Sequence, residues 1–124
     1  MNADVKAKWL AALRSGDYRQ GTDRLNYGNA TYCCLGVLCE IAVAERATEP
    51  ATRVGDGSTM MYGWSSTTPP EAVMAWAGID DERRFPALNT GTPLEWTAQN
   101  VLIEMNDGQG ASFEQIADWV EENL

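Results

Sequence analysis

The segment after Tyr32 constrains the fold most strongly, because its apolar residues leave almost no polar face. At helical spacing they surround most of a helix from residue 34 to about residue 46, and Glu40 is the main interruption before the polar end. A helix that is apolar nearly all round belongs inside a domain, so we predict a buried central helix. Gly36 within it either weakens the helix or lets another backbone come close. The apolar positions are Cys34, Leu35, Val37, Leu38, Ile41, Ala42 and Val43.

Four further helices are predicted from periodicity and from their start and stop signals. Glycines at 16 and 78 are typical helix stops, and the Pro-Pro-Glu sequence at 69–71 is typical of a helix start with proline in the first helical position. Ser112 with Gln115 three residues later forms a capping box. The predicted helices cover residues 4–15, 70–77, 94–105 and 112–123.

The remaining segments are rich in turn-forming residues. Residues 18–32 indicate a loop or a short hairpin that turns near 26–29, and residues 48–68 indicate either a long loop or a pair of short strands, with a functional lid as one role. Residues 79–93 form another predicted loop. We therefore expect one α+β domain over residues 1–124, mainly helical, with a small antiparallel sheet or hairpin; an all-α fold is the alternative.

The chain contains no histidine, which removes the commonest general base and the commonest zinc ligand. Three cysteines lie within seven residues, an odd number that is typical of a reducing compartment rather than of a disulfide framework. We interpret them as small apolar core residues, with a reactive thiol at the helix start as the alternative. No cofactor or metal is expected. The cysteines are Cys33, Cys34 and Cys39.

The net charge of −9 is unevenly distributed. Residues 95–124 carry seven acidic groups and no basic group, whereas residues 1–32 carry five basic and three acidic groups. This field disfavours DNA and RNA, even though the last two helices are spaced like a helix-turn-helix. No secretory signal or membrane-spanning stretch is visible, so we expect a cytoplasmic protein without a membrane partner.

The basic third of the chain interleaves arginines with tyrosines, a mixture suited to a nucleotide. Arginine binds phosphate through two parallel hydrogen bonds, and an aromatic ring stacks on a base. The alternative is that the tyrosines pack at the core edge and the basic groups pair with the acidic tail. The predicted ligand-binding residues are Arg14, Tyr18, Arg19, Arg24, Tyr27 and Tyr32, with Trp64, Arg83 and Arg84 as wall residues from the later loops.

Several motifs together resemble a group of small bacteriophage and prophage proteins of unknown function. These are Lys8-Trp9, Ala12-Leu-Arg-Ser-Gly, Tyr18-Arg-Gln-Gly, Tyr32-Cys-Cys-Leu-Gly-Val-Leu-Cys, the Pro-Pro-Glu helix and the Asn106–Ala117 segment. Residues 48–68 do not align with that group. The resemblance implies a phage origin and brings no catalytic residues.

We therefore expect a phage accessory protein that sequesters a small anionic ligand, such as a cyclic nucleotide or an ADP-ribose-like immune signal, without catalysis. An acidic inhibitor that mimics nucleic acid on a host protein is the second hypothesis. This inhibitor would act through four acidic residues of the last helix, Glu114, Asp118, Glu121 and Glu122. A cysteine- or carboxylate-dependent enzyme is the third, and the sequence also permits a homo-oligomer.

Overall fold

A computed structural model describes residues 1–55, 59–88 and 94–124. Within them the chain forms five α-helices and three two-stranded sheets, which confirms the expected α+β, mainly helical fold. The helices are α1 Ala3–Ser15, α2 Cys34–Ala44, α3 Glu71–Ala77, α4 Ala98–Ile103 and α5 Phe113–Asn123. The strands are β1 Arg19–Gln20, β2 Thr31–Tyr32, β3 Thr52–Val54, β4 Thr59–Met61, β5 Arg84–Pro86 and β6 Glu95–Thr97.

The cysteine-containing helix α2 is buried at the centre, as predicted. Every residue from Cys34 to Cys39 is buried, and Gly36 contacts a neighbouring backbone. A Cβ atom added at Gly36 would lie 1.7 Å from the carbonyl oxygen of Leu25. Glycine is therefore required here because a second chain segment crosses the helix at backbone distance.

Helix α1 packs against both α2 and α5. Its Trp9 is fully buried and donates a hydrogen bond from Nε1 to the carbonyl oxygen of Cys34, at 3.0 Å. The predicted stop at Gly16 is confirmed, since this residue adopts a left-handed conformation with φ of 79°. The apolar face of α1 thus closes one side of the core.

The capping signals of the later helices are mostly confirmed. Ser112 and Gln115 form both hydrogen bonds of the capping box at α5, and Gly78 ends α3 with φ of 72°. Pro70, however, is the N-cap of α3, so the prediction of proline in the first helical position was wrong by one residue.

The fourth predicted helix, 94–105, was wrong at its start. Residues 95–97 form β6, which pairs antiparallel with β5 and places Trp96 opposite Phe85. Helix α4 begins only at Ala98, where Thr97 caps the Asn100 amide, and a π-helical turn follows from Glu104 to Gly108. Cross-strand pairing of the two aromatic residues outweighs the helical spacing of this segment.

Residues 18–32 do not form one regular hairpin, because β1 and β2 pair parallel, with Arg19 opposite Thr31, but an isolated antiparallel bridge between Asn26 and Tyr32 closes a turn close to the predicted one. Of the two alternatives for residues 48–68, the pair of short strands is confirmed: β3 and β4 are antiparallel. The predicted loop over 79–93 contains β5, and its residues 89–93 lie outside the described residues, as do residues 56–58. No helix within the described ranges is both long and apolar enough to cross a membrane.

Candidate ligand-binding surface

Residues 24–28, called the 24–28 loop, form hydrogen bonds with a segment distant in sequence, residues 53–66. The amide of Leu25 donates to the carbonyl oxygen of Ser66 at 2.9 Å, and the Asn26 side-chain amide donates to the Tyr62 hydroxyl at 3.1 Å. Arg53 Nη2 donates to the carbonyl oxygen of Gly28 at 3.0 Å. The β3–β4 region therefore fixes the loop along its length.

Trp64 lies at the tip of the turn that follows β4. Tyr62 and Ser65 exchange backbone hydrogen bonds of 2.9 and 3.2 Å across this turn, and Gly63 supplies the positive φ of 61° that the turn requires. The Trp64 side chain is 97% exposed, whereas the neighbouring Tyr62 is fully buried. The turn thus presents a bare indole on a hydrogen-bonded support.

Arg24 lies over the ring of Tyr27, with the guanidinium carbon 5.6 Å from the ring centroid. The Tyr27 hydroxyl donates to the carbonyl oxygen of Thr22, which holds the ring against its own loop. The negative face of the ring attracts the guanidinium charge in this arrangement. We call Arg24, Tyr27, Arg53 and Trp64 the aromatic–basic surface.

Below this surface, one carboxylate accepts hydrogen bonds from two tyrosine hydroxyls. Glu40 of α2 accepts from Tyr62 at 2.7 Å and from Tyr32 at 3.4 Å. Burial, followed by the charge of Glu40, raises the pKa of Tyr18. Burial also raises the pKa of Tyr32 and of Tyr62, and in both the contact with Glu40 adds to the shift. All three phenols therefore remain protonated donors at neutral pH.

Tyr18 and Tyr32 pack on each other edge to face, with ring centroids 5.5 Å apart and an interplanar angle of 71°. Both are half-buried, Tyr32 within β2 and Tyr18 just before β1. Their rings thus stabilise the core edge, which is the alternative reading of these tyrosines. Arg19, between them in the pattern, is exposed on β1.

Arg14 is engaged elsewhere. Its Nη2 atom contacts Asp118 at 2.8 Å and Glu121 at 3.0 Å, so it joins the end of α1 to α5. These two hydrogen bonds raise the pKa of the Arg14 guanidinium, the contact with Glu121 contributing most. For this residue the structure realises the alternative in which basic groups pair with the acidic tail.

Arg83 and Arg84 belong to another region. The Arg83 guanidinium lies 5.1 Å from the ring centroid of Phe85, which in turn packs edge to face on Trp119 of α5. Arg84 is exposed on β5. Among the described residues, Arg83 contacts Phe85 and Arg84 pairs with Thr97 of β6, so these contacts join the two arginines to the β5 and α5 region.

The amides near the arginines have structural roles. The Oδ1 atom of buried Asn106 accepts from Gln20 Nε2 at 3.0 Å and from the Cys34 amide at 3.2 Å. Gln20 also accepts from the Phe113 amide at 3.1 Å. These bonds link β1 to the starts of α2 and α5, so Gln20 stabilises the fold.

The three cysteines are buried and unpaired with one another. Burial raises the pKa of the Cys33 thiol to about 11, from an ordinary value of 9.0, although three backbone contacts at the helix start oppose the shift. Burial likewise raises the pKa of Cys34 and Cys39. An activated thiolate needs the opposite shift, so the reactive-thiol alternative has no support at Cys33.

Two cavities of about 370 Å³ open on other faces. One lies between α3 and α4 and has Glu71, Asp80 and Asp81 in its wall, and the other is apolar and contacts Met105 and Trp119. The arginines of residues 14–24 line neither cavity. Within the described residues no group of three or more acidic or cysteine side chains is arranged to hold a metal ion.

Three residues of this region were not predicted from the sequence: Glu40, Arg53 and Tyr62. Glu40 was interpreted only as the polar side of the central helix. The one signal for Tyr62 was a large aromatic residue in a segment dominated by glycine, serine and threonine. Its partners are 22 and 36 residues away along the chain, a separation that periodicity does not detect.

The geometry defines a small α+β domain with an aromatic–basic surface beside the tyrosines that surround Glu40. The chain matches, over residues 1–124, the family described as "Domain of unknown function (DUF8296)", and it belongs to that family. No curated protein and no solved structure is significantly similar to it.

Proposed function

We propose that this protein binds and sequesters a small anionic ligand of the nucleotide class on the aromatic–basic surface, without converting it. The observation that carries the proposal is that a 97% exposed Trp64 and the Arg24–Tyr27 stack lie on two segments joined by hydrogen bonds. Arginine offers paired donors to a phosphate, and indole offers a stacking face to a base.

The nearby arginines favour an anion at this surface. Arg53 lies at the other end of the 24–28 loop, where its guanidinium approaches Gly28, so two arginines flank the tyrosine. Arg19 precedes the loop on β1 and is exposed. The acidic excess, in contrast, is concentrated after residue 94. A phosphate near this loop therefore meets three arginines, and Asp107 of the acidic tail, which accepts from the Asp23 amide at 3.1 Å, offsets part of their charge.

Binding without turnover is favoured by the chemistry of the candidate nucleophiles. The chain has no histidine, and the Cys33 thiol is both buried and shifted away from its reactive form. We further propose that the ligand is a signal of host antiviral defence, such as a cyclic nucleotide or an ADP-ribose-like molecule. The resemblance to phage and prophage proteins supports this narrower proposal.

Equilibrium binding to a panel of mono-, di- and cyclic nucleotides and ADP-ribose tests the proposal. One member should bind, Arg24→Gln and Trp64→Ala should each weaken it roughly tenfold or more, and mass spectrometry should recover it unchanged. Arg46→Gln is the matched control, because it removes an exposed arginine outside the surface. Absence of binding across the panel at millimolar concentration, or recovery of a new product, would refute the proposal.

A second candidate is an acidic inhibitor that occupies a basic surface of a host protein. The exposure of Glu114, Asp118, Glu121 and Glu122 along α5 favours it. Arg14 neutralises part of this face through Asp118 and Glu121, which weakens the mimicry. Pull-down from a bacterial lysate separates the two candidates: an inhibitor retains a nucleic-acid-binding protein that the quadruple acid-to-amide variant loses, and a ligand-sequestering protein does not.

A further inference from the structure

Tyr62 is fully buried. Its hydroxyl forms hydrogen bonds both to the 24–28 loop and to Glu40 of α2. The hydroxyl accepts from Asn26 Nδ2 at 3.1 Å and donates to Glu40 Oε2 at 2.7 Å. Both bonds depend on one oxygen, so removing it leaves a buried amide and a half-buried carboxylate short of a partner.

Asn26 in turn holds the loop backbone. Its Oδ1 atom accepts from the Gly28 amide at 2.7 Å, and its side chain is 5% exposed. Its two side-chain atoms thus connect the Gly28 amide to the Tyr62 hydroxyl. The loop conformation that carries Arg24 and Tyr27 is fixed from beneath by this chain of hydrogen bonds, which runs from Gly28 to Glu40.

We infer that Tyr62 is a positioning residue: its hydroxyl, bonded to Asn26 and Glu40, holds the 24–28 loop in the conformation that carries Arg24 and Tyr27. The part of this inference that concerns ligand affinity rests on the proposed function. The part that concerns loop conformation does not. Tyr62 itself touches no ligand, because its side chain is shielded from solvent.

Tyr62→Phe tests the inference, because it removes the hydroxyl and keeps the ring that fills the core. Amide hydrogen exchange at Gly28 should accelerate roughly tenfold, the change that a local destabilisation of about 1.4 kcal/mol produces when the two hydrogen bonds of the hydroxyl are lost. Thr97→Ala is the control of similar destabilisation, since it removes a helix cap at α4. In Thr97→Ala, the ratio of the Gly28 exchange rate to the global exchange rate should stay at its wild-type value.

The same variant should weaken binding of the nucleotide identified for the wild type by a similar factor, while Thr97→Ala leaves the affinity unchanged. The inference would be overturned if the Gly28 amide were as protected from exchange in Tyr62→Phe as in Thr97→Ala. It would also be overturned if Gly28 exchange accelerated in Tyr62→Phe while the affinity for the nucleotide stayed at the wild-type value. If the wild type binds no nucleotide, the proposed function fails, and the exchange experiment alone still decides whether Tyr62 positions the loop.

Discussion

Substitution of Gly36 by alanine tests the backbone crossing at the centre of the fold. The added Cβ would lie 1.7 Å from the Leu25 carbonyl oxygen and 2.6 Å from its carbonyl carbon. Because these are backbone atoms, no side-chain rotation relieves the contact, and the Leu25 segment has to move by roughly 1.5 Å to restore ordinary packing distances. Leu25 itself is fully buried, so the displacement also disturbs the core.

The magnitude follows from two opposing effects. Alanine gains about 1 kcal/mol over glycine in helix propensity, and overpacking a core costs about 1–3 kcal/mol, occasionally more. A contact this short lies at the upper end, so we expect a net loss of about 2 kcal/mol in the free energy of unfolding. For a domain of this size that lowers the melting temperature by roughly 6–10 °C.

Urea unfolding monitored by circular dichroism measures this loss. Ala7→Gly, at an exposed position of α1, calibrates the propensity effect and should cost about 1 kcal/mol by itself. A Gly36→Ala protein as stable as the wild type, or more stable, would refute the backbone crossing, because only the propensity gain would then be acting.

Three further outcomes are expected. Ser112→Ala removes the capping box of α5 and should cost about 1 kcal/mol in urea unfolding; an unchanged midpoint would contradict the cap. Asn106→Ala leaves buried donors without an acceptor and should cost about 3 kcal/mol, whereas a loss below 1 kcal/mol would show that water replaces the side chain. Because burial raises the pKa of Cys33 to about 11, alkylation of the native protein at pH 8 should be slow, with roughly one thiol in a thousand ionised. The folded pKa lies above the ordinary value of 9.0, so the stability linked to this thiol is complete below pH 9.0 and is lost as pH rises towards 11. Rapid labelling at pH 8, or stability that rises over this interval, would contradict the buried thiol.

Local signals predicted much of the helical framework. The continuous apolar surface of α2, the stop at Gly16 and the Ser112 capping box all depend on residues within a few positions of each other. The helix prediction was wrong at residues 95–97 because the contacts that decide this element are not local. Leu94 fits a helical pattern, but pairing with β5 extends the chain there, and Leu94 is 56% exposed instead of inward. Partners outside the local window decided that element.

The candidate surface could be predicted only in part. Arg24 and Tyr27 lie close in sequence, and their interleaving was visible. Arg14 belongs to the same stretch but continues the α1 helix and meets α5, more than a hundred residues away. Tyr62 and Arg53 join the loop through long-range hydrogen bonds that leave no periodic trace in the sequence.

The central claim is that the aromatic–basic surface takes the ligand, and titration of ¹⁵N-labelled protein with the nucleotide panel tests it most directly. We expect chemical-shift changes at residues 24–28 and at the indole N–H of Trp64, with the signals of β5 and α5 unmoved. Shift changes confined to Arg83, Arg84 or α5, or no change with any nucleotide, would contradict the account.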